Sequence, residues 1–477
     1  MVFSLFPFEK ESYVMNNHGT LRLEKNRNLI TADHGFWAIL DDRELHLLKT
    51  MKVETDPSLF NKLKEGGIIV TRNSFDKVTA DYRERFHFLD YGPSLHIIVP
   101  TLRCNQKCVY CHSRSVPPKT EGVDMDKETA KKVVNFIMTS RAKSIVIEFQ
   151  GGECSLNFET VKHVVEYANE RAEAMDKRVR FSVVTNLTAM TEEMLGFLKD
   201  HKIMGLSTSL DGPKKIHDTN RKYIDGAGTY DDVVYWVKRI KKDFKHDFNL
   251  NAMTTITKFS LNYPKEIVDE FVKLGFNGVW LRPMNNLGFA NASWKTIGYT
   301  AEEYLKFWKE SLSYILEVNK KKPFQEVLSR ILLSKMLLKK DPMYVDIQSP
   351  CGAAIGQLLY DSRGDIFTCD EAKVLGDVFK LGNVATTTME SAITNPTVVS
   401  MMNMSTKLAS LCDACAFSPY CGLCPVDTYV TQGSIVPKLP QSFRCKVFKE
   451  VLKTLFTELA NSEDSRRIFT GWITRPL

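Results

Sequence analysis

Apolar and polar positions divide the chain into regions of different texture. Between residues 93 and 320, short apolar and β-branched runs alternate with amphipathic stretches at helical spacing. The runs fall at 95–101, 144–150, 180–185, 205–210, 249–255 and 278–282, and the helical stretches at 127–140, 159–174, 191–200, 230–244 and 262–274. In the first of these helices Val133, Val134, Ile137 and Met138 share one face. Buried parallel strands read as continuous apolar runs, so the alternation predicts a parallel α/β fold, either a partial barrel or an open doubly wound sheet.

Residues 1–92 read differently, as a small α+β module of winged-helix-like type. Thr20-Leu21-Arg22-Leu23 alternates as a strand does, after an Asn-His-Gly turn. Asp41 and Asp42 are placed to cap a helix through Leu45, Leu47, Leu48 and Met51. Asp56-Pro57 opens a second helix, Gly66-Gly67 stops it, and Ile68-Ile69-Val70 reads as a strand. Beyond the alternating region come helical stretches at 301–318 and 326–340, so residues 321–345 read as a helical linker. Residues 346–450 are richer in Cys, Gly and Pro and are expected to fold around metal centres. A tail is set at 451–477, with Phe448, Val451, Leu452, Leu455 and Phe456 on one helical face leading into it.

Composition narrows the class. At 477 residues, 43% hydrophobic and 25% charged, the chain suits about three soluble domains. No run approaches the ~18 apolar residues of a membrane span. Met1 to Glu11 lacks the basic and apolar regions of a secretory signal, so a cytoplasmic protein without a membrane partner is expected. The net charge of +7 is dispersed; clusters such as Lys238, Arg239, Lys241 and Lys242 read as solvated helix faces, and no nucleic-acid partner is expected. A core of this size has no need of disulfides, yet ten of the eleven cysteines fall into two groups, a pattern of metal or iron–sulfur ligation.

The first group, Cys104-Asn-Gln-Lys-Cys108-Val-Tyr-Cys111, directly follows the first predicted strand. Functional groups of parallel α/β folds sit past the carboxyl ends of strands. Three thiolates on one loop can hold three irons of a [4Fe–4S] cube and leave the fourth open. The other reading is a zinc loop with a distant fourth ligand, His112 included. The spacing resembles that of the radical S-adenosylmethionine (SAM) enzymes, which implies a partial (β/α)6 TIM-like barrel and SAM chelated by the open iron. Tyr110 holds the aromatic position before the third cysteine. Gly151-Gly152-Glu153 after the second strand, Asn186 after the third, and Ser209 and Arg221 after the fourth match positions that contact SAM in that family. Arg suits a carboxylate because its fork donates two parallel hydrogen bonds. Asp211 reads as a turn-former, Cys154 as a buried small residue, and Arg282-Pro283 lies where the adenosine is expected. No catalytic acid or base is assigned.

The second group reads Cys351-x12-Gly364-x4-Cys369, Cys412-x2-Cys415-x5-Cys421-x2-Cys424 and Cys445. It resembles the SPASM extension of radical SAM peptide-modifying enzymes, which implies two auxiliary [4Fe–4S] clusters and three in all. By that pattern Cys351, Cys369 and Cys424 would hold one, its fourth position either open to substrate or taken by another ligand, with Asp370 adjacent, and Cys412, Cys415, Cys421 and Cys445 the other. The gap before Cys424 is one residue shorter than the family's. Two zinc knuckles are the alternative. Within this group the chain most resembles the B-type maturases of the His-Xaa-Ser system. Residues 1–92 resemble the peptide-recognition module of such maturases, where an extended leader peptide adds to a sheet edge. The resemblance implies reductive cleavage of SAM to a 5′-deoxyadenosyl radical, hydrogen abstraction from a ribosomally made peptide, a crosslink as product, and a flavodoxin or ferredoxin as electron donor. A formylglycine-forming anaerobic sulfatase-maturating enzyme and a non-catalytic zinc-binding interaction protein are the rival readings.

Overall fold

The structure, a computed structural model, describes residues 12–203, 205–338, 340–406, 412–439 and 442–474. Residues 1–11, read above for a secretory signal, lie outside them. Six parallel strands form the centre: β1 (Leu95–Ile98), β2 (Ser144–Phe149), β3 (Arg178–Val184), β4 (Gly205–Ser209), β5 (Asn249–Ile256) and β6 (Gly278–Pro283). They pair in chain order, each with the next. Strand alternation decides their two faces. On β2, Ile145, Ile147 and Phe149 are fully buried toward the helices, whereas Glu148 on the other face aligns with Ile97 of β1 and Ser182 of β3. The same inner face carries Ser209 and Met253, and Thr255 and Arg282, as register partners. The interior is therefore partly polar. The intervening helices Lys127–Met138, Phe158–Ala174, Glu192–Asp200, Tyr230–Asp243 and Pro264–Lys273 bury their apolar faces outside. This is the partial barrel with its outer helical layer.

The sheet continues past both edges. β7 (Gln325–Glu326) extends β6, and β8 (Gln357–Tyr360) pairs in parallel with β1. β9 (Asp365–Phe367) and β10 (Lys380–Asn383) complete a ten-stranded sheet. The cysteine-rich region is thus built onto the barrel by backbone pairing. Its helix Phe443–Asn461 runs across the boundary placed at residue 450, because the apolar face that includes Phe448, Val451 and Leu452 is continuous and buried. A last helix, Glu463–Thr474, packs Phe469 and Trp472 inward. Among the described residues no helix is long and apolar enough to cross a membrane.

The N-terminal module holds an antiparallel meander, His18–Glu24, Arg27–Ala32 and Trp37–Leu40, and a separate pair, Tyr13–Met15 with Ile69–Thr71. Helix Asp42–Lys49 starts at a capping box between Asp41 and Glu44, and Pro57–Glu65 starts where Asp56 accepts the Leu59 N–H. A third helix, Phe75–Arg85, buries only Val78 and Arg85, too weak a periodicity to be read from sequence. One meander face (Ile30, Ala32, Ala38, Leu40) packs on Leu48, Leu59 and Leu63 of its own helices. The other meets the cysteine-rich region: Thr31 Oγ1 donates to Ala416 O at 2.8 Å, and the Trp37 ring packs edge-on against Phe456.

Candidate active site

Past β1 the chain enters the loop of Cys104, Cys108 and Cys111. Backbone bonds fix its course. Cys104 N–H donates to Val116 O at 2.8 Å, Lys107 N–H to Lys222 O at 2.7 Å and Val109 N–H to Asn220 O at 3.0 Å. Cys108 is thereby tied on both sides to the segment that carries Arg221. The loop after β2 lies flat against it: Gly152 N–H donates to Thr101 O at 3.0 Å and Glu153 N–H to Arg103 O at 2.7 Å. A Cβ on Gly152 would stand 2.3 Å from the Arg103 oxygen, and one on Gly151, at φ +140°, 2.4 Å from the Thr101 oxygen. Glu153 is buried. Its carboxylate accepts from the Ser155 and Thr185 hydroxyls, each at 2.7 Å, and from Asn186 N–H at 2.7 Å, joining the ends of β2 and β3.

Burial pushes the Cys104 thiol up to about 11 and Cys108 to about 12, so both are neutral until a metal displaces the proton. Gln106 N–H (3.4 Å) and the Asn186 amide (3.7 Å) donate to Cys104 Sγ. Arg221 is buried beside them. Its Nη1 donates to the Tyr110 hydroxyl at 2.9 Å and its Nη2 to Gln106 Oε1 at 3.2 Å. Tyr110 in turn donates to Asp211 at 2.7 Å, and Asn220 and Thr255 N–H also donate to that carboxylate, at 3.0 and 3.2 Å. Among the described residues Arg221 Nε is buried without a hydrogen-bond partner. A buried cationic N–H left open is costly unless an acceptor completes it, and a ligand carboxylate would do so.

The barrel interior opens beside this loop. Glu148 accepts from Gln150 at 2.7 Å and Ser182 at 3.0 Å. The charge of Asp370, one residue past Cys369, bears on His112, Glu148, Lys373 and Arg282. Burial lowers Lys373 to about 8, against the pull of Asp361, Cys111 and Asp370.

The C-terminal cysteines sort into two places. Cys351, Cys369 and Cys424 share a buried cluster with Leu287, Phe379, Met401 and Val426. Cys412, Cys415, Cys421 and Cys445 line one pocket, which Cys424 and Arg444 line as well. Arg444 reaches both groups: its cation pulls Cys421, Cys424 and Cys351 down against the rise from burial. Among the described residues no three His, Cys, Asp or Glu donors close on one point as the shell of a single ion does. Thiols ringing a larger space suit a cube in which each iron takes one sulfur.

Residues 98–271 match the profile of the radical SAM superfamily. This segment of the chain is a radical SAM domain. Enzymes of that superfamily use SAM and a [4Fe–4S] cluster. The chain is 26% identical over 378 residues to the cysteine-type anaerobic sulfatase-maturating enzyme of Clostridium perfringens, covering 75% of this chain and 95% of that protein. The fold is similar to native anSMEcpe with bound AdoMet and Cp18Cys peptide (TM-score 0.66, 22% identity, 79% of this chain and 100% of that one). It is also similar to Streptococcus suis SuiB bound to precursor peptide SuiA (TM-score 0.54, 15% identity, 89% and 98%).

Within the radical SAM domain, Tyr110, Asn186 and Arg221 converge on the cysteine loop, while Gly151, Gly152 and Glu153 engage the protein's own backbone. Ser209 ends β4 on the inner face. Cys154 is buried, its Sγ 3.4 Å from Val184 O. Asp211, read as a turn-former, is instead a fully buried hub that holds Tyr110 and Asn220. The sequence reading passed over Gln106, Asn220, Lys373 and Glu371. Asn220 adjoins Arg221 and Glu371 lies two residues past Cys369; that proximity was the only signal available.

Proposed function

We propose that the chain is a radical SAM/SPASM enzyme that modifies a ribosomally made peptide, with a crosslink as product, in the manner of the B-type His-Xaa-Ser maturases. One observation carries it: Arg221, with an open buried Nε, is fixed beside Cys108 by Tyr110, Gln106 and Asp211 at the mouth of a polar barrel. In this reading Cys104, Cys108 and Cys111 hold the SAM-binding cluster, and the other seven cysteines of the two groups hold two auxiliary ones. When bound, SAM and the reduced cluster supply a 5′-deoxyadenosyl radical able to abstract hydrogen from an unactivated carbon. The chain's residues do the rest. Arg221 pairs the SAM carboxylate, Asn186 and Ser209 border SAM, and the apolar outer layer keeps water from the interior. Asp370 and Lys373 stand where a proton leaving the substrate could be held. Residues 1–92 receive the leader; the sheet order leaves both outer meander strands unpaired on one side among the described residues, and at Trp37–Leu40 the Lys62 ammonium already occupies Ile39 O at 2.9 Å. The strand His18–Glu24 is the more open edge for β-addition. Flavodoxin or ferredoxin supplies the electron.

A peptide substrate is supported by the two structural relatives, whose structures hold peptides. The test is anaerobic turnover with a precursor encoded beside the gene, followed by mass analysis. A loss of two hydrogens that resists aldehyde reagents supports a crosslink. The Clostridium relative favours a second reading, formylglycine formation, in which the product reacts with a hydrazide probe. Hydrogen exchange with and without precursor locates the leader; protection absent from residues 13–71 counts against the recognition role.

A further inference from the structure

Three cysteines leave one iron of a four-iron cube without a thiolate. Cys351, Cys369 and Cys424 are such a set, on the two-cluster reading above. Glu371 lies beside them, only 7% exposed. Its two carboxylate oxygens have different surroundings. Oε1 accepts from Arg282 Nη2 at 3.1 Å and from the Asn285 amide, both supplied by the end of β6 and the loop after it. Oε2 turns the other way and lies 3.8 Å from Cys424 Sγ. The Glu371 charge bears on Cys351 and Cys369 as well. The Asp370 charge bears on Cys369 and the Asp346 charge on Cys351 too, but among the described residues it is Glu371 whose carboxylate contacts one of these three sulfurs. Asp370, its neighbour in sequence, takes a 3.4 Å hydrogen bond from Gln357, and its charge bears on His112 and Lys373 as well as on Cys369. Asp346 accepts from the Tyr344 hydroxyl at 3.2 Å and lies 3.8 Å from Arg282.

We propose that Glu371 Oε2 is the fourth ligand of the auxiliary cluster held by Cys351, Cys369 and Cys424. Arg282 and Asn285 fix one oxygen from the barrel side and so aim the other at the vacant corner. A carboxylate is harder than a thiolate and suits iron less well, so this corner is the most readily exchanged of the cluster. Arg282 links it directly to the barrel interior, where a substrate would lie. An oxygen-ligated corner can yield to a substrate donor and be retaken by Glu371 afterwards.

The test uses full-length protein with Cys104, Cys108 and Cys111 changed to Ala, so that only auxiliary clusters contribute. It should hold about eight irons. Glu371→Ala and Glu371→Gln are expected to lose about one iron and, when oxidised, to show the EPR signal of a [3Fe–4S] cluster. Glu371→Cys restores the iron, and Asp370→Asn keeps it. In the parent carrying glutamate labelled at its carboxyl carbon, pulsed EPR of the reduced cluster should show coupling to the label; this leaves Glu371 in place and holds even where a Glu371 variant does not fold. A full iron load in Glu371→Ala, or no coupling in the parent, overturns the assignment of Glu371 and leaves the two-cluster reading intact. A parent that holds zinc or almost no iron overturns both.

Discussion

Gly152→Ala tests how the cysteine loop is held. The added Cβ would lie 2.3 Å from Arg103 O, 2.4 Å from Leu102 O and 2.7 Å from the Arg103 carbonyl carbon. Ordinary carbon–oxygen contact is near ~3.4 Å, so backbone must move by roughly 1 Å, and no flexible side chain can absorb it. Two hydrogen bonds cross the same contact, Gly152 N–H to Thr101 O and Glu153 N–H to Arg103 O. Overpacking costs about 1–3 kcal/mol and each lost bond about 1 kcal/mol. A total of about 3–5 kcal/mol is expected, concentrated on the loop that positions Cys104. The assay pairs urea denaturation of the apoprotein with iron content and SAM cleavage after anaerobic reconstitution. Cleavage should fall at least tenfold, with the auxiliary iron retained. Gly196→Ala is the control: it lies in the interior of helix Glu192–Asp200 with nothing within 4 Å of an added Cβ, and should be neutral or stabilising by up to about 1 kcal/mol. A Gly152→Ala protein that loads and cleaves like wild type would refute the reasoning.

Other outcomes follow from the same contacts. Tyr110→Phe removes the hydroxyl between Arg221 and Asp211, a loss of about 1–3 kcal/mol, and should weaken SAM binding roughly 5- to 150-fold by equilibrium dialysis; unchanged affinity contradicts the role given to Arg221. His96 and His217 are fully buried, and burial holds each near about 3. The unfolded chain binds these protons from pH ~6.5 downward and the folded chain does not, so stability is present above that pH and is lost on acidification. Each histidine should cost about 2 kcal/mol by pH 5, read as a falling urea midpoint with proton uptake on unfolding; a pH-independent midpoint contradicts it. Thr31→Val leaves Ala416 O without its 2.8 Å donor and should cost about 1–3 kcal/mol, visible as faster limited proteolysis between the N-terminal module and residue 93.

Much of the barrel was legible because strand and helix periods differ and each barrel strand is flanked by a clean change of period. Helix Asp42–Lys49 was legible for a different reason, a capping aspartate ahead of an apolar run, and the structure adds the Glu44 half of the capping box. The short helices Pro396–Met404 and Pro425–Gln432 were missed although each begins with proline at its first position. They lie in a region with little apolar periodicity. The cysteine loop was legible from spacing, and the part of Arg221 only through the resemblance to the radical SAM enzymes. The hub at Asp211 was not. Its partners Tyr110, Asn220 and Thr255 come from three separate segments, and no local pattern distinguishes a buried carboxylate from a turn-forming one. Nor could sequence show that the meander presses its second face on the Cys412–Cys421 loop, since both faces of a central strand read alike when both are buried.

The most direct measurement is SAM cleavage by anaerobically reconstituted, dithionite-reduced protein, with 5′-deoxyadenosine and methionine quantified together. The account expects both products in equal amounts, lost when Cys108→Ala removes one thiolate while auxiliary iron remains. Wild-type protein with a full iron load that yields neither product, with or without a precursor peptide, would contradict it.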